Sequence, residues 1–530
     1  MVRSAAGPVV TAGARSARRS VVIGIDIGTA NSKGVACLAD GTVLASVRRE
    51  HGVSTPQPGW FEHDAEATWW GDTVRISRDL LAELGSDVRI EALAVTTCGP
   101  CLVPVDVVGR ALRPGILYGV DTRASAEAAA LRARIGPRAI QRLSRVPLSS
   151  QAVGPKIAWV VAHEPAVARR TALWHTATSF IVARLTGVAV IDQHQASAFS
   201  PFIDARRRDW DLRHAAGLGL EGRLPPLRWP GEIAGALTSD AAAATGLPAG
   251  TPVLVGTSDG PTEALAVGAS RPGIVAVTYG STTTLTTFGP ATGPHRGLWD
   301  NEGWSPEERC IGGGLATSGA VVDWLRREFA RDLPGHVDAT GSAAHAILDR
   351  EAAASPVGAR GLLALPSFSG ERSPLDDPAA RGVVAGLSLS HTRGDVHRAI
   401  LEGIAFGIRQ LFETFVERGI PVDHLRSAGG GVRSPLGVQI VSDVTGRDQE
   451  IAEQTIGAAY GAACLAARAV GLGPADDDAW FRVARLVRPD RRATAAYERR
   501  YALFRRLQRD ARAVVHALAA SDSEPAAGPS

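Results

Sequence analysis

Cysteine is scarce in this chain: Cys37, Cys98, Cys101, Cys310 and Cys464 are the whole complement, an odd number of five. That argues against a disulfide framework and for a reducing compartment. Cys98 and Cys101 form a C-x-x-C, but no second pair of ligands stands at zinc-site spacing, so no metal centre is expected there. Long apolar runs are missing as well; nowhere do about 18 apolar residues follow one another, which excludes a membrane-spanning helix. The opening stretch MVRSAAGPVVTAGARSARRS (1–20) is basic and small, without the apolar core of a secretory signal. It reads as a disordered leader, and residues 516–530, ending in SDSEPAAGPS, as a disordered tail. A cytoplasmic location follows as the expectation. Net charge is also small, +3, which gives no electrostatic case for nucleic acid or an anionic membrane as a partner.

What is present is ordinary globular composition, 45% apolar and 21% charged, over 530 residues. That length is too great for one core, so two or more domains are expected.

One pattern occurs twice. VVIGIDIG (21–28) reads as a buried strand, GTANSK (28–33) as a turn, and GVACLAD (34–40) and TVLASVRRE (42–50) as two further strands. In the second half GIVAVTYG (273–280) leads into GSTTT and then LTTFG (285–289). Each is strand, glycine-hydroxyl turn, strand. Such turns gather backbone N–H groups and hydroxyls at one point, the arrangement that cradles phosphate. Singly either is also a plain hairpin; as a pair they suggest a duplicated α/β domain with a nucleotide between the halves.

A second feature is VGTSDGPTEALAVGA (255–269). TPVLVG (251–256) reads as a buried strand, and Pro261 and Glu263 suit the first turn of a following helix. Asp259 therefore falls on a strand-to-helix corner, where open α/β sheets place ligands. On these residues alone the plainer reading is that it merely begins the helix. Elsewhere, IEALAVTTCG (90–99) is strand-like and residues 163–187 read as one helix stopped by Gly187. A long helix is expected over 394–420, a strand, triple-glycine turn and helix over 424–446, and a closely packing small-residue helix over 458–473.

Together these segments resemble the FGGY carbohydrate kinases of the actin-like ATPase superfold, over roughly residues 20–515. The matching pieces are IGIDIGTANSK, PQPGWFEHDAEATWW, PKIAWV, TGVAVIDQHQASAFSPFIDARRRDWD, VGTSDG, TYGSTT, SAGGGVRSPLGVQIVSDVTG and the stretch from LPSFSGERSP to GIR, all in family order. The resemblance implies an α/β fold of two actin-like, ribonuclease H-like domains with a nucleotide and sugar cleft between them. It places one domain over 21–257 and the other over 258–515. It implies ATP and Mg²⁺ as cofactors, a small ketose such as xylulose, or a polyol, as acceptor, and a homodimer as the candidate assembly. Asp259 falls on the general base, with Asp26 and Asp259 at Mg²⁺. Gly28, Thr29, Ser32 and Lys33 fall on the first phosphate loop, Gly280, Ser281 and Thr282 on the second, and Gly430, Gly431 and Ser434 on the adenosine loop. Cys98, Gly99, Asp121 and Asp259 fall on the sugar side.

The sequence also departs from the family. The segment that helps select the sugar reads TTCGPC (96–101), neither the Gln-Met-His-Gly of xylulokinases nor the Gln-Arg-Glu of glycerol kinases. Asp121 and Arg123 either bind sugar or form a structural pair. His194, Trp60 and Trp210 are expected to pack, and Arg372 and Ser373 to be structural. Two rivals stand beside the kinase: a catalytically reduced sugar sensor or scaffold, and an actin-like ATPase with a protein client.

Overall fold

The computed structural model describes residues 18–145, 148–291, 295–334, 342–473 and 477–521. Most of the expected leader and the end of the expected tail lie outside them. The helix Arg512–Ser521, with Val515 buried, occupies the first residues assigned to that tail.

Each half is built on one seven-stranded sheet of the same design. In the first, Arg19–Ile27 runs antiparallel to Asn31–Cys37, which runs antiparallel to Val43–Glu50. On its other side Arg19–Ile27 is parallel to Val88–Thr97, with Pro252–Leu254 parallel beyond. In the second, Gly273–Tyr279, Thr283–Pro290 and Glu308–Leu315 form the antiparallel meander. Val422–Ala428 and then Gln449–Ala452 continue in parallel. The repeated meander-plus-parallel order is the duplicated α/β architecture expected from the paired hairpins.

Apolar strand residues face the covering helices and give each sheet its own core. Val21, Ile23 and Ile25 pack with Ile76 and Leu80 in the first half. Val275, Val277 and Leu285 pack with Phe406 and Leu411 in the second. The helix Ala458–Ala469 belongs by sequence to the second half, yet it lies on the first sheet against Val22, Val35 and Ala92. Its small residues make this possible. A Cβ on Gly24 would stand 2.0 Å from the Ala459 carbonyl oxygen.

The long helix runs from Arg393 to Glu417. It opens on a capping box in which Thr392 and Asp395 satisfy each other's backbone N–H groups. Residues 163–187 do not form the single helix that their periodicity suggests. Pro165–Arg170 is a short helix, Leu173–His175 a strand paired with Val103–Val105, and Ala177–Thr186 a helix capped by Thr176. Pairing across the chain outweighs local helical preference here, because it buries Trp174 completely.

Candidate functional site

Three strand ends of the first sheet lie side by side. Ile27 pairs with Thr97, Thr97 with Ser258, and the Cys98 N–H donates to the Ile27 carbonyl at 2.8 Å. Asp26, Gly99 and Asp259 are thereby brought to one edge, at the carboxyl ends of parallel strands where open α/β sheets bind ligands. The helix Asp259–Ala266 starts at this edge. The Asp259 carboxylate accepts the Gly260 N–H at 3.0 Å and also the Gly99 N–H. Burial outweighs these donors and pushes its pKa up to about 6, so above that pH it is an ionised proton acceptor. Gly99 admits no other residue, since a Cβ there would stand 2.8 Å from the Ser258 Cβ.

Asp26 is raised further, to about 7, by burial and by the Asp259 charge, with Lys33 and His51 opposing. Its Oδ1 is buried without a protein partner. Glu263, one helical turn after Asp259 on the same face, is pushed up to about 8 by burial, Asp259 and Asp26. Thr278 hydrogen-bonds it from the second sheet. Glu263 was visible in the sequence only as a first-turn acid. Its i, i+4 relation to Asp259 was the available signal that it shares the site.

The first phosphate loop is shorter than the sequence suggests. Asn31 already belongs to a strand, and the Gly28 N–H closes the turn on the Asn31 carbonyl at 3.0 Å. Strand alternation then sends Ser32 and Lys33 to opposite faces. Ser32 is buried and donates to Asp72 at 2.7 Å, so its hydroxyl does not line the turn as expected. Lys33 donates to the Ile456 carbonyl at 3.1 Å and lends its charge to Asp26 and Glu263. The Thr29 hydroxyl meets the Tyr118 phenol at 3.2 Å. Its carbonyl faces His63 Nε2 at 3.0 Å, while the Trp69 indole donates to His63 Nδ1 at 3.1 Å. Indole only donates, so His63 carries its proton on Nε2 and gives it to Thr29. Spacing alone offered no sign of this brace.

In the second half, Gly280 turns the chain through its N–H to the Thr282 carbonyl at 2.8 Å. The carbonyls of Gly280 and Ser281 accept N–H groups of Gly319 and Ala320, tying the loop to the start of the helix Gly319–Phe329. Gly429, at φ +95°, and Gly431 lie directly on Tyr279; a Cβ on Gly431 would stand 2.8 Å from the Tyr279 Cβ. Ser281, Gly430 and Gly431 are exposed and open to a ligand. The Ser434 hydroxyl caps the helix Pro435–Thr445 by accepting the Gly437 N–H at 3.0 Å, and it also bonds Asp349. What it offers a nucleotide is the position of the backbone rather than a free hydroxyl.

Two sugar-side expectations are corrected. Asp121 accepts from Phe61 N–H at 2.7 Å and from Arg123 through Nε at 3.0 Å and Nη2 at 2.7 Å, with both side chains fully buried. Every lone pair it has is committed, so it is the structural half of a salt bridge. Arg123 stacks over Trp60, which packs edge-on against Trp159. Cys98 is also buried, its Sγ 3.9 Å from Cys101, and burial and the neighbouring thiol hold it neutral. Its thiol therefore offers almost no surface to a ligand. Among the described residues no three His, Cys, Asp or Glu side chains converge as a metal site. His194 spans to the second half through the Glu302 carbonyl at 3.0 Å, and Trp210 packs on Phe199.

The donor set suits a nucleotide with a divalent cation. Mg²⁺ is commonly held by one or two carboxylates together with phosphate oxygens rather than by a protein cage. The orphaned Asp26 oxygen and the glycine cradles leave places for both.

Comparison with known proteins agrees with this geometry. The model for the FGGY family of carbohydrate kinases, N-terminal domain, matches residues 21–266, and that for the C-terminal domain matches 275–470. The chain is 28% identical over 455 residues to a xylulose kinase of Bacillus subtilis, covering 84% of this chain and 87% of that protein. It is 27% identical over 460 residues to a gluconokinase of the same organism, covering 86% and 87%. The crystal structure of xylulose kinase from Rhodospirillum rubrum superposes with a TM-score of 0.85 at 33% identity, covering 94% of this chain and 100% of that one. The two sheets are those of two actin-like ATPase domains, and no described helix is long and apolar enough to cross a membrane. The chain belongs to the FGGY family of carbohydrate kinases and is a phosphotransferase.

Proposed function

We propose that this kinase transfers the γ-phosphate of ATP to a hydroxyl of a small ketose, xylulose being the first candidate, or of a polyol. The observation that carries the reading is the Asp259 carboxylate. It is held by the Gly99 and Gly260 N–H groups at the strand edge, and Glu263, on the same helix face, is bonded across to Thr278 of the second sheet.

In this reading Asp259 accepts the proton of the acceptor hydroxyl as the oxygen attacks. Phosphoryl transfer depends mainly on positioning and charge neutralisation, so a carboxylate of modest basicity suffices. Backbone N–H groups of Thr29 and of Ser281 and Thr282 orient the phosphates, and Gly430 and Gly431 let the adenosine approach the backbone closely. Asp26, with Asp259 near it, would hold Mg²⁺, which would supply charge neutralisation to the phosphates. The junction of the two domains falls at 257/258 in this reading, and their closure excludes water that would otherwise take the phosphoryl group.

The segment TTCGPC (96–101) leaves the sugar open. An ADP-release screen over pentuloses, hexuloses, aldonates and polyols tests the proposal. Stimulation by a ketose or polyol supports it; release indifferent to every sugar sinks it and favours the scaffold or client-binding rivals.

A further inference from the structure

The buried arginines of this protein are paired. Arg123 is held by Asp121 and Glu62, Arg309 by Asp300 and Glu302, and Arg398 by Glu402. Arg372 is different. It is half-buried, and no described carboxylate or carbonyl accepts from its guanidinium. Its guanidinium lies within electrostatic reach of the Tyr118 phenol, on the opposite half of the molecule. A guanidinium is always charged and loses hydration on burial, so an unpaired one is unfavourable unless an anion completes it.

Its position says which anion. The loop bearing Arg372 is closed by paired N–H and carbonyl groups of Glu371 and Asp377, at 2.8 and 3.0 Å. It is fastened by the Ser373 N–H to the Gly314 carbonyl at 3.2 Å, and Gly314 pairs with Thr284, just after the second phosphate loop. Across from it, Tyr118 touches Thr29 of the first phosphate loop and feels the charge of Asp259. Arg372 thus stands between the two phosphate loops, over the side of the cleft where Asp259 acts.

We infer that Arg372 is an oxyanion-binding residue of the acceptor side, resting on the kinase reading above. Its fork of N–H donors matches a carboxylate or a phosphoryl group. The oxyanion is either a carboxylate that the acceptor brings, as an aldonate does, or the phosphoryl group once it has reached the sugar. In the first case Arg372 selects acidic acceptors; in the second it serves every acceptor.

The test compares wild type with Arg372→Gln and Arg372→Lys in the full chain. It uses gluconate and xylulose as acceptors, inhibition by the isolated sugar phosphate, and calorimetric binding of inorganic phosphate. A rise of about tenfold or more in the gluconate KM of Arg372→Gln, with xylulose unaffected, assigns the carboxylate. An equal fall in kcat on the acceptors used, with loss of product inhibition and of phosphate binding, assigns the phosphoryl group. Arg372→Lys keeps the charge without the fork and should fall between; if Arg372→Gln does not fold, Arg372→Lys decides alone by the same readouts. Kinetics, product inhibition and phosphate binding all within twofold of wild type overturn the inference. Should no acceptor stimulate the wild type, the kinase reading fails, and phosphate binding still judges Arg372 separately.

Discussion

Asp26 and Asp259 reach the same edge from strands far apart in sequence, and the charge of Asp259 helps to push the Asp26 acid up to about 7. Two carboxylates this close compete for one negative charge until a cation joins them.

The first prediction concerns Asp259. Asp259→Asn keeps the shape and the helix start but cannot take a proton, so kcat should fall about 10²-fold or more. ATP affinity and melting temperature should stay near wild type. In the wild type, kcat/KM should rise with pH through about 6 and then level, because the base must be ionised to act. Near-normal turnover in Asp259→Asn would return the residue to a plain helix start.

Glu263 should make the ligand-free protein pH-sensitive. Its folded pKa of about 8 lies above its ordinary value of 4.5, so the stability it contributes is complete below about 4.5 and lost as pH rises through 8. Glu263→Gln resembles the protonated acid at all pH values. It should melt like wild type at about pH 4 and above wild type at about pH 8.5. Equal melting temperatures at both ends would show that burial does not perturb this carboxyl.

Gly24→Ala should weaken the seam between sheet and helix. The added Cβ would meet the Ala459 carbonyl 2.0 Å away and the Ala463 nitrogen at 2.4 Å, backbone atoms that cannot rotate aside. A loss of about 1–3 kcal/mol in denaturant unfolding is expected. Unfolding at the wild-type midpoint would mean that the helix does not lie this close.

Asp121→Ala should cost stability rather than sugar affinity. Removing Asp121 takes the bidentate partner from the fully buried Arg123 and leaves it dependent on Glu62, at about 1.5–3 kcal/mol. The sugar KM of whatever folded enzyme remains should be unchanged. A large rise in KM with intact stability would restore Asp121 to the sugar site.

Much of this was legible because the relevant information is local. An aspartate among Gly256, Ser258 and Gly260 after a buried strand describes a corner by itself, as do the glycines of the two phosphate loops. The small residues of 458–469 announced close packing without saying against what. The helix expected over 163–187 failed for the same reason in reverse: strand pairing of Leu173–His175 with Val103–Val105 is a contact that no local window contains.

By itself, then, the sequence determined the family, the duplicated architecture and the two glycine-hydroxyl turns, since backbone turns and strand-end carboxylates depend on neighbouring residues. Tertiary structure alone decided which polar groups are free to act. Asp121 and Ser32 looked available and are consumed by Arg123 and Asp72, whereas Arg372 looked structural and its guanidinium has no acceptor among the described residues. Hydrogen-bond capacity is finite, and whether a side chain has any left for a substrate depends on partners brought to it from distant parts of the chain.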